Sequence, residues 1–309
     1  MISVDKNYFP GWVRKAISFT IDDGDLEMDK KFIDITSPYG IKGTFNIPNF
    51  HFNELSPEGY RELYRGYEIA NHVRLHPYAF SDGIDYRLYD GPRPEVTDDD
   101  CACYLTKDPG VYEVRKIKGW RKITDADNYI RLTRECTEEI RRVFGGERRL
   151  GFVWPFGMQK NIKVFEALKK EGFYGLRKTG GPSLNPTFSL PKDRNEWSYN
   201  ANNEQLLEEA RKFEEFPDDG ELKAFIFGVH AKDFERSENW CDLEVFSKTY
   251  GNRPEDYWYA TNIDIFEYED AVNMLKITDE GVENPSDLTL YIKVDGERIT
   301  LAPHSQFKF

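Results

Sequence analysis

The chain has 309 residues, enough for one large α/β domain with its own hydrophobic core and a small appendage. A formal net charge of −13 at pH 7 argues against a nucleic-acid partner, because the phosphate backbone carries the same sign of charge. The sequence contains no run of about 18 apolar residues, so we expect no membrane-spanning helix.

The N-terminal sequence MISVDKNYFPGW lacks a basic segment followed by an apolar run. We therefore expect a cytoplasmic protein without a signal peptide, although a secreted form whose leader has been removed is compatible with the same sequence. The four cysteines form no CxxC pair, and we expect free thiols in a reducing compartment.

The first third of the chain alternates between strand and helix patterns. The predicted elements are a strand at 16–21, a helix at 26–36, a strand at 42–47, a helix from Ser56 to about Gly66, and a strand at 67–70. Strands joined by helices in this order pair in parallel.

Residues 77–124 interrupt the alternation with turn-forming sequences such as DGPRPE and KDPG and with no sustained period. We interpret this stretch as a long inserted loop with short strands. Loops of this length in a compact domain are usually functional or mobile.

Regular alternation then resumes. We predict helices at 125–144, 161–171, 204–215, 241–250 and 265–275, and strands at 150–153, 174–177, 222–229 and 257–261. About seven β/α repeats are typical of a barrel-like or doubly wound fold, and we predict an irregular (β/α) barrel.

The C-terminus has a different pattern. Alternating residues on both sides of Asp295-Gly296 predict a β-hairpin. We therefore expect a catalytic domain at 1–285, which carries the insertion, and a small hairpin appendage at 286–309.

Chemically distinctive residues follow several of the predicted strands. Asp22 and Asp23 end the sequence FTIDD, and two adjacent carboxylates repel each other unless a cation lies nearby. His72 and His76 are four residues apart, a spacing that on a helical turn places two imidazoles on one side, as two metal ligands require.

Two further stretches complete this set. The turn Pro155-Phe156-Gly157 follows the strand at 150–153, and His230 ends the strand at 222–229. Because the carboxyl ends of barrel strands face the active site, all four stretches should converge on one rim. Each feature alone is common by chance, and their order in combination favours a catalytic metal site.

These ordered motifs resemble those of the polysaccharide deacetylase family, also called the NodB-homology or carbohydrate esterase family 4 enzymes. Thr20-Ile21-Asp22-Asp23-Gly24 is similar to the family motif T-F-D-D-G, with isoleucine in place of phenylalanine. Residues 66–77, GYEIANHVRLHP, are similar to G-H-E-I-G-N-H-(S/T)-x-x-H-P, with valine at the Ser/Thr position. The resemblance extends over about residues 15–275.

The resemblance implies roles for individual residues. A divalent metal, zinc first and cobalt, nickel or manganese as alternatives, would be bound by Asp23, His72 and His76. The implied catalytic groups are Asp22 as general base, the backbone N–H of Phe156 as oxyanion donor, and His230 as general acid.

One departure from the family pattern concerns the base. The third family motif usually has an arginine two residues before its proline, which orients the base, and that position is Val153 here. We consider Arg74 or Lys232 as the source of the missing charge, with an ordinary surface role as the alternative for either.

The resemblance implies a metal-dependent hydrolase that removes N-acetyl or O-acetyl groups from a polysaccharide or oligosaccharide. Three alternatives stay open: an amidohydrolase acting on a small cyclic amide or imide, a non-catalytic carbohydrate-binding protein, and an iron oxygenase with two histidines and one carboxylate. The insertion follows His76 directly, so we hypothesise that it overhangs the cleft and restricts the substrate. Its aromatic residues would either stack on sugars or pack the loop onto the domain; they are Tyr89, Tyr104, Tyr112 and Trp120.

Overall fold

The computed structural model describes residues 2–79, 87–89, 102–106, 108, 110–116, 119–157, 161–178 and 180–309. Its strands, in chain order, are β1 (Val4–Tyr8), β2 (Lys15–Asp22), β3 (Thr44–Ile47), β4 (Glu68–Asn71), β5 (Tyr78–Ala79), β6 (Arg87–Tyr89), β7 (Ala102–Leu105), β8 (Val111–Lys116), β9 (Gly119–Thr124), β10 (Phe152–Val153), β11 (Leu176–Arg177), β12 (Lys223–His230), β13 (Tyr257–Tyr259), β14 (Lys276–Thr278), β15 (Gly281–Asn284), β16 (Leu290–Val294), β17 (Glu297–Leu301) and β18 (Ser305–Lys308).

The helices alternate with the strands of the main sheet. They are α1 (Leu26–Thr36), α2 (Pro57–Leu63), α3 (Ala126–Phe144), α4 (Ile162–Lys170), α5 (Leu206–Glu215), α6 (Ala231–Arg236), α7 (Trp240–Tyr250) and α8 (Asn262–Met274). Side-chain caps set several helix starts. Asp25 accepts from the N–H of Met28 before α1, and Asp125 accepts from the N–H of Asn128 before α3.

One seven-stranded sheet organises the domain. Its order is β11-β10-β4-β3-β2-β12. One edge of β2 has two partners: β13 pairs with residues 15–17 of β2, and β3 pairs with residues 20–22. Every pairing in this sheet is parallel, so the carboxyl ends of the strands meet at one edge. This confirms an α/β fold with a parallel sheet. Within the described ranges no pairing joins β11 to β12, and closure into a barrel stays a prediction.

The insertion contains a second sheet. Strands β5 to β9 form five strands in the order β5-β9-β8-β7-β6. Val111 and Ile123 of this sheet are buried, and Val111 belongs to a core cluster that also contains Tyr129 and Trp154 of the main domain. The insertion is therefore packed onto the domain through its described core residues.

One of the four aromatic residues that we considered for sugar stacking has a described side chain. Tyr112 is half-buried. The side chains of Tyr89, Tyr104 and Trp120 lie outside the described residues, so the substrate-restricting role of the insertion stays a hypothesis.

The predicted C-terminal hairpin is present as β16 and β17. Asp295 and Gly296 form its turn with φ of 47° and 85°, which fits the left-handed conformation of such two-residue loops. The N-terminal strand β1 pairs with β16, and β14, β15 and β18 form a further small sheet. The division at residue 285 stays a prediction. No described helix is both long enough and apolar enough to span a bilayer.

Candidate active site

Asp22 lies at the carboxyl end of β2, where polar side chains from other strands of the sheet contact it. Asn46 of β3 donates a hydrogen bond to its Oδ1 at 2.8 Å, and Nη2 of Arg177 contacts both carboxylate oxygens, with 2.5 Å to Oδ2. Burial alone would raise the pKa of Asp22, but the charge of Arg177 and the nearby histidines hold it below its usual value. Asp22 is therefore a carboxylate, as a general base must be.

Asp23 turns away from the strand and toward the histidines. Its backbone has φ of 80°, a left-handed conformation that is rare for a residue with a side chain. Its Oδ1 lies 3.6 Å from Nε2 of His72 and 3.5 Å from Nε2 of His76, while its Oδ2 accepts from Lys232 at 2.5 Å. The adjacent carboxylates thus face different partners: Asp22 faces Arg177, and Asp23 faces the two imidazoles.

His72 and His76 are brought together by a tight turn, and not by the helical turn that their spacing suggested. Val73 and His76 have φ of 55° and 53°, and the N–H of His76 donates to the carbonyl of Val73 at 2.9 Å. Asn71 supports this turn, because its Oδ1 accepts from the N–H of Val73 at 2.8 Å. Left-handed residues of this kind concentrate at functional sites, where surrounding contacts enforce them.

The contacts of the two imidazoles direct their Nε2 atoms toward each other. Nδ1 of His72 donates to the carbonyl of Val153 at 2.9 Å, which leaves the lone pair on Nε2 facing Nε2 of His76 at 3.1 Å. Burial and the neighbouring His72 lower the pKa of His76 to about 3. His76 is therefore neutral, and the Nε2 atoms of both rings are placed to act as metal ligands.

The donor set fits a divalent cation. One oxygen of Asp23 and one nitrogen each of His72 and His76 lie within 4.8 Å of one another. Ligands placed about 2.0–2.1 Å from a tetrahedral zinc are about 3.3 Å apart, and the separations here are 3.1, 3.5 and 3.6 Å. The hydrogen bond from His72 to a carbonyl is also the second contact that metal-binding histidines usually make.

His230 lies beside this cluster at the end of β12. Its Nε2 is 3.7 Å from Oδ2 of Asp23, and its Nδ1 bonds to Asp233 at 2.7 Å. Burial lowers the pKa of His230, but the bond to Asp233 and the charges of Asp22 and Asp23 outweigh it, so the net shift is upward. The ring is thereby suited to carry a proton, and 40% of its side chain is exposed to an incoming substrate.

Phe156 lies on the turn after β10 with φ of 60°. The residue is 43% exposed, and its ring packs edge-on against His76, with centroids 4.5 Å apart. The structure thus brings Phe156 to the histidine pair, and the contribution of its N–H to catalysis stays a prediction.

The sequence-based reasoning missed Arg177 and Asn46, the two residues that bond to the Asp22 carboxylate. Of the residues considered as the missing charge, Lys232 pairs with Asp23, and Arg74 lies 3.6 Å from Glu135 of α3. Arg177 could have been found from its place at the end of the predicted strand 174–177, because the same strand-end rule selected Asp22 and His230.

The sequence match to known families agrees with this geometry. The model of the family described as polysaccharide deacetylase matches residues 13–176, just over half of the 309 residues. The chain belongs to the polysaccharide deacetylase family. The match includes both aspartates, both histidines and Phe156, and it ends one residue before Arg177. Membership of the polysaccharide deacetylase family supports the assignment of this chain as an acetyl-removing hydrolase. Enzymes of this family generally depend on a divalent metal.

Solved structures share the fold of this polysaccharide deacetylase family member at low identity. A Mycobacterium smegmatis protein assigned as a polysaccharide deacetylase is 16% identical with a TM-score of 0.53, over 88% of this chain and 96% of the other. A Pseudomonas aeruginosa PAO1 protein assigned to the same class is 13% identical with a TM-score of 0.52, over 85% and 93%. The Puue allantoinase is 11% identical with a TM-score of 0.51, over 85% and 92%. No curated protein matches the sequence.

Proposed function

We propose that the protein is a divalent-metal-dependent hydrolase, with zinc as the expected metal, that removes acetyl groups from an N-acetylated or O-acetylated polysaccharide or oligosaccharide. The observation that carries this proposal is the cluster of Asp23, His72 and His76 beside the Asp22 carboxylate at the carboxyl edge of the sheet. Three protein ligands leave coordination positions for water and for a substrate oxygen, as catalytic zinc sites do.

The cation bound by Asp23, His72 and His76 would polarise the acetyl carbonyl and lower the pKa of a bound water. The remaining roles belong to the protein. Asp22 takes the proton from the attacking water, and its contacts with Arg177 and Asn46 keep it ionised and fix its orientation.

Two further groups act on the substrate. The N–H of Phe156 donates to the oxyanion that forms as the carbonyl becomes tetrahedral. His230 donates its proton to the leaving amine or alcohol, because Asp233 holds Nδ1 and leaves Nε2 directed at the cluster. Acetate is then released, and the proton taken by Asp22 restores His230.

The test is acetate release from N-acetylglucosamine oligomers by protein that has been stripped of metal and reloaded with zinc or cobalt. We expect Asp22→Asn to lower kcat by about 10²–10⁴, the range of a general base, while oligomer binding persists. Asp34→Asn is the matched control, because Asp34 is an exposed acid on α1. Activity that is unchanged in Asp22→Asn would contradict the proposal.

The same assay separates the alternatives that the sequence left open. Ring opening of a cyclic amide or imide, with no acetate from the oligomers, would indicate the amidohydrolase. Oligomer binding without any product would indicate a carbohydrate-binding protein. Turnover that requires oxygen would indicate an oxygenase.

A further inference from the structure

Arg177 is an unusual residue for a protein core. It is 1% exposed and is among the largest fully buried side chains of the described residues. A guanidinium stays charged in proteins, and burying such a charge is strongly unfavourable unless a counter-charge lies against it. Its position at the end of β11 therefore calls for an explanation in terms of its partner.

That partner is Asp22. One nitrogen, Nη2, spans both carboxylate oxygens, while the aromatic ring of Tyr199 lies 5.2 Å from the guanidinium carbon. The Nε of Arg177 is buried without a hydrogen-bond partner. The side chain is thus held for the contact with Asp22 and not for complete satisfaction of its own donors.

The strand register explains how Arg177 reaches this place. β10 and β11 run in parallel, and Val153 pairs directly with Arg177. Val153 is the position where the resemblance puts an arginine that orients the base. At this level of the sheet, β10 contributes the carbonyl of Val153, which accepts from His72, and β11 contributes the guanidinium that binds Asp22.

We propose that Arg177 is the positioning residue for the general base Asp22, and that it supplies from the neighbouring strand the charge that is missing at Val153. This assignment rests on the proposed function, in which Asp22 is the base. Arg177 acts through Asp22: it fixes the carboxylate in the orientation that receives the proton of the attacking water. Misplacing a reacting group by about 1 Å can cost about 10²-fold in rate.

The first test is chemical rescue. We expect Arg177→Ala to lower kcat for acetate release about 10²-fold with KM within about threefold, because substrate contacts are retained. Guanidinium chloride at millimolar, non-denaturing concentration should restore kcat at least tenfold by occupying the vacated space beside Asp22. Arg177→Lys should retain intermediate activity, since a single nitrogen makes the contact in the native site.

Arg194→Ala is the matched control. Arg194 is a largely buried arginine at the start of the short 3-10 helix Arg194–Glu196 that follows β11, and it pairs with Glu269. Its loss should lower stability but leave kcat unchanged, and guanidinium should not alter its activity. Rescue of both variants to the same degree would overturn the specific role of Arg177.

A second readout does not depend on activity. If Arg177 and Asp22 are partners, the fall in melting temperature caused by Arg177→Met should be much smaller in an Asp22→Asn background than in the native chain. Equal falls in both backgrounds would overturn the pairing. An inactive native enzyme would refute the proposed function. If the native enzyme is active, two results would refute this inference alone: an Arg177→Ala variant with full kcat, or an Arg177→Ala variant whose lowered kcat is not restored by guanidinium.

Discussion

Asp29 is a buried acid whose ionisation should make the stability of the protein fall with pH. It lies on α1, accepts from the hydroxyl of Tyr64 at 2.8 Å on one oxygen, and has no partner on the other. Burial, together with the charges of Asp25 and Asp23, raises its pKa to about 8, against 3.8 in an unfolded chain. The folded protein therefore binds this proton more tightly than the unfolded chain does.

The sign and size of the effect follow from linkage. The stability that the proton contributes is complete below pH 3.8, decreases as the pH rises, and is lost above about pH 8. Over three pH units, from pH 5 to pH 8, one extra bound proton changes the free energy of unfolding by about 4 kcal/mol at about 1.4 kcal/mol per unit. Asp29→Asn is nearly isosteric, cannot ionise and still accepts from Tyr64, so it should remove this dependence.

The assay is urea unfolding of metal-free protein in EDTA at pH 5, 6.5 and 8. We expect the free energy of unfolding of Asp29→Asn, relative to that of the native chain, to rise by about 4 kcal/mol from pH 5 to pH 8. Asp34→Asn on the same helix is the control, because Asp34 is exposed and pairs with Lys30. If the free energies of unfolding of the native chain and of Asp29→Asn change in parallel from pH 5 to pH 8, the reasoning is refuted.

Two further substitutions test the surroundings of the site. A Cβ at Gly228 of β12 would lie 2.2 Å from the ring of Tyr199, so Gly228→Ala should cost about 1–3 kcal/mol in urea unfolding and lower kcat by disturbing Arg177. Gly59→Ala, which meets only the flexible side chain of Leu55, is its control, and equal stabilities of the two variants would contradict the clash. Asn71→Ala removes the hydrogen bond that Asn71 donates to the carbonyl of Thr133 and the one that it accepts from the N–H of Val73. It should lower the free energy of unfolding by about 3 kcal/mol and weaken zinc binding, measured by calorimetry, about tenfold. Exposed Asn53→Ala is the reference there, and unchanged zinc affinity in Asn71→Ala would show that the turn needs no such support.

Local signals predicted the elements that they determine. The apolar period predicted α1 with the bounds that the structure has, and the apolar run before Asp22 predicted β2 to within one residue at each end. The family motifs then selected Asp23, His72 and His76, which the structure places in one cluster.

Features that depend on contacts between distant segments were not predictable in this way. The pairing of Val153 with Arg177, which brings a guanidinium to Asp22, is set by strand register and leaves no periodic trace in the sequence. The five-stranded sheet of the insertion lacked a clear alternation, and the short helix α6 lies directly after His230, where no separate helix was expected. The histidine pair was predicted, but its left-handed turn was not, because Val73 and His76 adopt φ values that residues with side chains rarely take.

Anomalous X-ray diffraction at the zinc edge, from crystals grown with zinc, tests the central claim most directly. We expect one strong peak about 2.0–2.1 Å from an oxygen of Asp23 and from Nε2 of both His72 and His76, with Asp22 outside the coordination shell and still bound to Arg177. A zinc peak elsewhere, or one that binds Asp22 in place of either histidine, would contradict the account.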